Sequence, residues 1–222
     1  MKTTPMENSF PPQGSAEWFA QRRGLFTGSE ISPLLKPKGI GKGGETYIYK
    51  KVSEMLTDPA FDVHFSNMAT RHGDEYEPMA FKVHEKRSGS VAEEIGFQVH
   101  HAYNFIGASP DRLIHRDGKV GIGECKCPFE PENHIKHCMI DSVEYFRDNF
   151  DEYYYQCVCE YICTPNVAFV DFISFDPRMS SKYGYFCFTF TPPQSDCEFL
   201  INRAIQAQEM KNQILTKLTT NK

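Results

Sequence analysis

Two carboxylates and an ammonium stand close together in the middle of the chain. In the stretch Gly107-Ala-Ser-Pro-Asp-Arg-Leu-Ile-His-Arg-Asp-Gly-Lys-Val-Gly-Ile-Gly-Glu-Cys-Lys-Cys-Pro-Phe129, Asp111 opens one strand-like run, Asp117-Gly118 marks a hairpin turn, and Glu124 and Lys126 lie on the returning run. Strand side chains alternate, so Glu124 and Lys126 share one face and Cys125 takes the other, and the hairpin brings Asp111 level with the pair. Hard oxygen ligands of this kind suit Mg²⁺, with Mn²⁺ as a substitute, and the peptide carbonyl of Cys125 adds a neutral oxygen. A cation held there polarises a phosphoryl oxygen and lowers the pKa of a bound water. Lys126 beside that water orients it or helps deprotonate it, and screens charge at the pentavalent stage. The chemistry implied is phosphodiester hydrolysis without a covalent intermediate. The same three residues also fit an exposed sheet face on which opposite charges pair across strands.

Three further segments bear on that choice. Glu77, in Arg71-His-Gly-Asp-Glu-Tyr-Glu-Pro-Met-Ala-Phe81, lies near a helix start, from which it reaches the metal or complements the helix dipole. Tyr153 and Gln156 are spaced i, i+3 and share a helix face, from which both can hydrogen-bond a water or a phosphate, or simply pack. Between Trp18 and Glu30, Arg22 and Ser29 offer a guanidinium and a hydroxyl suited to a phosphate.

The elements that must position these groups follow from periodicity. Helical spacing runs from Ser15 to Arg23, through a second short helix carrying Ile31, Leu34 and Leu35, from Thr46 to Leu56, and strongly from Arg71 to Ser88, opening at Gly73. Strands are predicted at Ile95–His100, Ile106–Ala108, Asp111–His115 and Val120–Cys127, then one helix over Val143–Cys163, strands at Val167–Phe175 and Tyr183–Thr191, and a closing helix from Asp196 to Leu218. This order predicts an α/β (α+β) fold with a mixed central sheet flanked by helices. Residues 1–12 read as a flexible leader and 13–218 as a single domain. The 222 residues are 40% apolar and 14% aromatic, enough for a core, and no apolar run reaches membrane-span length. No membrane partner is therefore expected. The formal net charge of −5 excludes a uniformly basic polyanion binder, so any nucleic-acid site is a local basic groove whose affinity falls with salt. The eight cysteines, in a chain of this size with no secretory signal, read as reduced thiols of an intracellular protein.

Other motifs fail on spacing. Gly39-Ile-Gly-Lys42-Gly-Gly lacks both the first Gly of a phosphate loop, where Lys36 stands, and the Ser or Thr after the Lys, where Gly43 stands. His134, His137 and Cys138 with Cys157, Cys159 and Cys163 lack the paired knuckle of a zinc site.

Taken in order, Trp18-Phe-Ala-Gln-Arg-Arg-Gly-Leu-Phe-Thr-Gly-Ser-Glu-Ile31, Gly73-Asp-Glu-Tyr-Glu77, Ser109-Pro-Asp-Arg-Leu113, Glu124-Cys-Lys-Cys-Pro-Phe129, Tyr153-Tyr-Tyr-Gln156 and Phe175-Asp-Pro-Arg-Met179 resemble the YqaJ-type viral recombinases, the lambda-exonuclease-like family within the PD-(D/E)xK nuclease superfamily. The resemblance spans residues 15 to 215 and implies a restriction-endonuclease-like core. It implies 5′→3′ digestion of linear duplex DNA to nucleoside monophosphates, leaving a 3′ single strand for recombination and repair. Carried over by position, Asp111, Glu124 and the Cys125 carbonyl hold the metal, Glu77 holds a second metal or its waters, and Lys126 is the catalytic lysine. Gln156 and Tyr153 position the nucleophile or scissile strand. Arg22, Ser29 and Ser109 form the 5′-phosphate pocket, and Lys38 is a basic loop residue against DNA. A ring-shaped homotrimer and a single-strand annealing protein are the implied partners. Some relatives carry a further acidic residue where Val99-His-His-Ala-Tyr-Asn104 stands here, and His100 or His101 is either an outer-shell stand-in or, as is more common for such a residue, a plain surface strand histidine. Two alternatives stay open: an endonuclease or RNA-cleaving relative, and a catalytically silent DNA-end-binding scaffold.

Overall fold

The Asp117-Gly118 turn forms as its residue types demand. Both residues have positive φ (51° and 71°), the twist that a two-residue hairpin connection needs. It joins Arg112–Arg116 to Lys119–Lys126, and the second of these strands is the middle one of the five-stranded sheet. The structure, a computed structural model, describes residues 10–61 and 68–220; residues 1–9 of the expected leader lie outside the described residues.

In chain order the elements are α1 (Ala16–Arg22), β1 (Phe26–Thr27), α2 (Lys42–Leu56), α3 (Met68–Ser88), β2 (Val91–Glu93), β3 (Gln98–Val99), β4 (Ile106–Ala108), β5 (Arg112–Arg116), β6 (Lys119–Lys126), α4 (Pro131–His137), α5 (Val143–Asn149), α6 (Asp151–Cys163), β7 (Val170–Phe175), β8 (Tyr185–Phe190) and α7 (Gln194–Thr220). Five strands form a mixed sheet in the order β2-β5-β6-β7-β8, with β6 and β7 parallel and the other pairs antiparallel. A small second sheet, β1-β4-β3, sits beside it. This is the mixed α/β class expected.

The sheet buries both faces. Ile122 of β6 and Val170 and Phe172 of β7 pack with Tyr154, Cys157 and Val158 of α6 and with Leu200 and Ala204 of α7. On the other face, Cys125 and Cys127 join Ala80 and Phe81 of α3 in a smaller core. Gly121 makes the second packing possible: a Cβ there would lie 2.3 Å from the Phe169 ring.

Several boundaries differ from those read along the chain. Pro33 interrupts the expected second helix, and Gly28–Glu30 and Ser32–Leu34 become two 3-10 turns. The helix predicted over Val143–Cys163 is two, because Phe150 (φ −139°, ψ 48°) leaves the helical region while its ring packs near Phe146 and His137. α3 begins at Met68 rather than at Gly73 and carries Pro78 in its interior. The strand expected at Ile95–His100 shrinks to Gln98–Val99, and the edge partner of β5 is Val91–Glu93, too short and too exposed to leave a pattern. α4, opened by Pro131 at its first turn, was not predicted.

Candidate active site

The site opens where the sheet divides. β5 pairs with β6 only as far as Arg112 opposite Gly123, whereas β6 stays paired with β7 through Lys126 opposite Ser174. Asp111 therefore lies just outside β5 rather than at its first position. Its carboxylate replaces the missing strand: the Cys125 amide donates to Asp111 Oδ2 at 2.8 Å. Glu124 and Lys126 project toward α6. Glu77 arrives from α3 on the opposite face, past the end of β5, and Arg112 Nη1 lies 3.2 Å from its Oε1.

Glu77, Asp111, Glu124 and Lys126 line a cavity of about 580 Å³ together with Trp18, Arg22, Ser29, Ser109, Cys125, Tyr153 and Gln156. The structure thus brings together every residue given a metal, catalytic or phosphate role from the sequence, whereas Lys38, His100 and His101 do not line the cavity. Lys38 is on a loop fastened to α7, where Arg203 Nη2 donates to the carbonyls of Lys36 and Pro37. His100 is not part of the site. Its Nδ1 accepts from the amides of Ala102 and Tyr103, which makes it a buried turn cap.

Negative charge dominates the floor. Lys126 Nζ donates to Glu124 Oε1 at 2.5 Å and to Gln156 Oε1 at 3.2 Å, and it lies 5.0 Å from the Tyr153 ring centre. Tyr153 thus meets the site with its ring, which also stacks on Phe172. Burial holds the Asp111 carboxyl well above the usual carboxylate range, and Glu124 and Glu77 push the same way. Burial raises Glu77 too, with Arg112 opposing. For Lys126 burial disfavours the charged form, but Glu124 and Asp111 together outweigh it and hold the ammonium above the ordinary lysine range.

A further buried carboxyl group was missed. Glu160 is 1% exposed, lines the same cavity, and is raised well above the usual range by burial and then by Glu124 and Asp111. The signal was present: Tyr153, Gln156 and Glu160 follow i, i+3, i+7 and share one face of α6. Arg178, in a segment given no role, also acts here. It donates to the carbonyls of Pro128 and Phe129 while bonded to Asp176, and so fixes the chain just beyond Lys126.

The far corner of the cavity is cationic. Arg22 stacks on Trp18 at 4.0 Å, its Nη1 donates to Ser109 Oγ (3.3 Å) and its Nη2 to Ser29 Oγ (3.0 Å), and Trp18 Nε1 also donates to Ser109 Oγ (3.1 Å). A hydroxyl that accepts from a guanidinium keeps its own proton for another acceptor. Burial lowers Arg22 below its ordinary range, with Glu30 opposing, so an incoming anion relieves an under-solvated cation. Gly28 sets the serine turn directly on α6: a Cβ there would meet Cys159 Cβ at 3.3 Å and the Gln156 carbonyl at 3.4 Å.

The two histidines of the cluster discounted as a zinc site form a hydrogen-bond relay with Ser174. His134 Nε2 donates to the Tyr183 carbonyl, which leaves Nδ1 to accept from Ser174 Oγ, which accepts in turn from His137 Nδ1. Among the described residues, the trio of ligand atoms found within 4.8 Å of one another is His84, Asp171 and Cys187. There Asp171 is already held by both terminal nitrogens of Arg116 and by Thr189. The cavity carboxylates are spread more widely than that.

The sequence model of the YqaJ-like viral recombinase domain matches residues 17–166, about two thirds of the chain. The chain belongs to the YqaJ-like viral recombinase family. This recombinase-family chain is similar in fold to the alkaline exonuclease LHK-Exo from Laribacter hongkongensis, with a TM-score of 0.78, 24% identity, and coverage of 93% of this chain and 97% of that one. The same values hold for LHK-Exo in complex with dAMP. A phage-related exonuclease from Haemophilus somnus 129PT is also similar, with a TM-score of 0.70 at 12% identity over 87% of this chain and 96% of that one. No curated protein sequence matches this family member. Among its described residues no helix is long and apolar enough to cross a membrane.

Proposed function

We propose that the protein is a divalent-cation-dependent exonuclease that digests linear duplex DNA from 5′ ends and leaves 3′ single strands for recombination. The observation that carries this reading is the sharing of one cavity by an acidic floor bearing a lysine and a cationic corner built for an anion. The two regions suit the scissile phosphodiester and the terminal 5′-phosphate of one strand. The structures similar in fold are named exonucleases, one with a nucleoside monophosphate bound, which agrees with release of mononucleotides.

The floor fits a hard cation. Six carboxyl groups line the cavity against one ammonium and one guanidinium, and Glu124 Oε2 is buried without a hydrogen-bond partner among the described residues. Asp111, Glu124 and the Cys125 carbonyl would hold Mg²⁺ or Mn²⁺, with Glu77 holding a second ion or its waters. The spread of the carboxylates suits an ion that keeps several waters. When bound, the ion polarises the phosphoryl oxygen and acidifies water. The chain's own groups do the rest. Lys126 carries a positive charge to the phosphate, Gln156 holds that ammonium beside Glu124, and the Tyr153 ring closes one side. Arg22, Ser29 and Ser109 hold the terminal phosphate, and Lys38 contacts duplex outside the cavity. Assembly as a homotrimer around DNA and hand-over of the 3′ strand to an annealing protein complete the proposal.

The test is release of acid-soluble nucleotides from end-labelled linear duplex, with and without Mg²⁺, for wild type and Lys126→Ala. Expected are Mg²⁺-dependent release from linear but not closed circular DNA, and a loss of about 100-fold or more in the variant, the scale of a general acid–base or charge-stabilising group. Wild-type protein that binds ends but releases nothing would make it a scaffold, and cutting of closed circles or structured RNA would reassign the substrate.

A further inference from the structure

Glu160 has no place in the scheme above, and its contacts give it one. Its Oε1 accepts from Gln156 Nε2 at 3.0 Å, while the same nitrogen donates to Glu124 Oε1 at 2.7 Å. At the other end of the amide, Gln156 Oε1 accepts from Lys126 Nζ at 3.2 Å. Both Gln156 N–H groups and its oxygen are therefore engaged, the first two by carboxyl oxygens that accept and the third by an ammonium that donates. Two carboxylates fix the NH₂ end and an ammonium fixes the oxygen. A flipped amide would set NH₂ against NH₃⁺ and C=O against two carboxylates.

Glu124 and Lys126 are bonded to each other and sit on one strand, so they hold only one edge of the amide. The second N–H, and with it the rotation of the amide plane, is held by Glu160 alone among the described residues. Glu160 is one helical turn beyond Gln156 on the same face of α6 and fully buried, so its position is set by the helix and not by solvent.

We propose that Glu160 is a positioning residue. It anchors the Gln156 amide in the single orientation that lets its oxygen hold the Lys126 ammonium against Glu124. The kinetic part of this inference rests on the nuclease reading; the structural part does not.

The experiment therefore has two arms. In the first, metal-free protein labelled with ¹⁵N-glutamine is followed by NMR, and the Gln156 side-chain pair is assigned by its disappearance in Gln156→Leu. Solvent exchange of that pair accelerates at least tenfold in Glu160→Met. It accelerates likewise in Glu160→Asn, which keeps a polar group but withdraws it by one methylene. It is restored in Glu160→Gln, whose amide oxygen can accept the same bond. In the second arm, nucleotide release from linear duplex falls at least tenfold in kcat for Glu160→Met with KM within twofold. The drop is less than twofold when the same change is made in Gln156→Leu, because Glu160 acts through Gln156.

Unchanged exchange in both Glu160→Met and Glu160→Asn overturns the proposal, as do multiplicative losses in the double variant. A Glu160→Gln protein as impaired as Glu160→Met, with a raised Mg²⁺ requirement, makes Glu160 a metal ligand instead. A wild-type protein that releases no nucleotides overturns the nuclease reading and leaves the exchange arm to decide the role of Glu160.

Discussion

Replacing Arg22 by alanine should remove the preference for a 5′-phosphate without removing the hydrolysis. Among the described residues the guanidinium donates to the two neutral hydroxyls of Ser29 and Ser109, and no carboxylate is hydrogen-bonded to it. Its charge is therefore available to an incoming phosphate, and the two terminal nitrogens it turns toward the serines are spaced for a bidentate contact. A charge-assisted hydrogen bond of this kind contributes ~1.5–3 kcal/mol. With ~1.4 kcal/mol for each factor of ten, Arg22→Ala should lower kcat/KM on 5′-phosphorylated duplex by roughly 10- to 150-fold. The 5′-hydroxyl substrate offers no dianion to that corner, so its rate should change by less than about threefold, and the ratio of the two rates should collapse toward one. Arg22→Lys keeps the charge but loses the fork and the flat stack on Trp18, and should recover only part of the preference. The assay is nucleotide release from matched linear duplexes differing only at the 5′ end, at fixed salt, with melting temperature as a folding control. Equal losses on both ends would refute the reasoning, since they would place Arg22 in general DNA binding or in folding.

Three further outcomes follow from the same structure. Mg²⁺ should raise the melting temperature of wild-type protein, by ~2.7 kcal/mol of stability at one hundred times its Kd, and a chelator should reverse it. Asp111→Asn should abolish that shift while leaving the metal-free protein at least as stable near neutral pH, because the amide oxygen still accepts from Cys125 and the repulsion from Glu124 and Glu77 is gone; a metal-free variant that melts well below wild type would refute this. His137 is pushed down to about 4, by burial first and then by His134 and Lys126. It is neutral in the fold, so its stabilisation is intact above the unfolded histidine value and is lost as pH falls from ~6.5 toward 4, by up to ~3 kcal/mol. Urea unfolding at pH 7 and pH 4.5 should show a smaller acid loss in His137→Gln than in wild type, and equal losses would remove His137 as the cause.

Much of this protein was legible because short-range rules decide it. The Asp117-Gly118 turn sets the hairpin, the hairpin sets alternation, and alternation sends Glu124 and Lys126 to one face and Cys125 to the other, as the two separate cores show. Spacing on a helix likewise placed Tyr153 and Gln156 together. What spacing could not supply was the environment. Glu160 lay at a readable position, yet only the packing of α6 on the sheet shows it buried among other carboxylates. The paired roles of His134 and His137 depend on Ser174, a strand residue far along the chain whose hydroxyl no local pattern points to them. The splitting of the expected long helix at Phe150 was decided by where its ring finds partners. Above all, the cavity exists because β5 leaves β6 at Asp111 while β7 does not, and because α1 brings Arg22 to Ser109 across most of the first half of the chain. Residue types and intervals determine which groups can do chemistry. Whether they meet, and how far burial shifts their charges, is settled by long-range contacts that no local window of sequence contains.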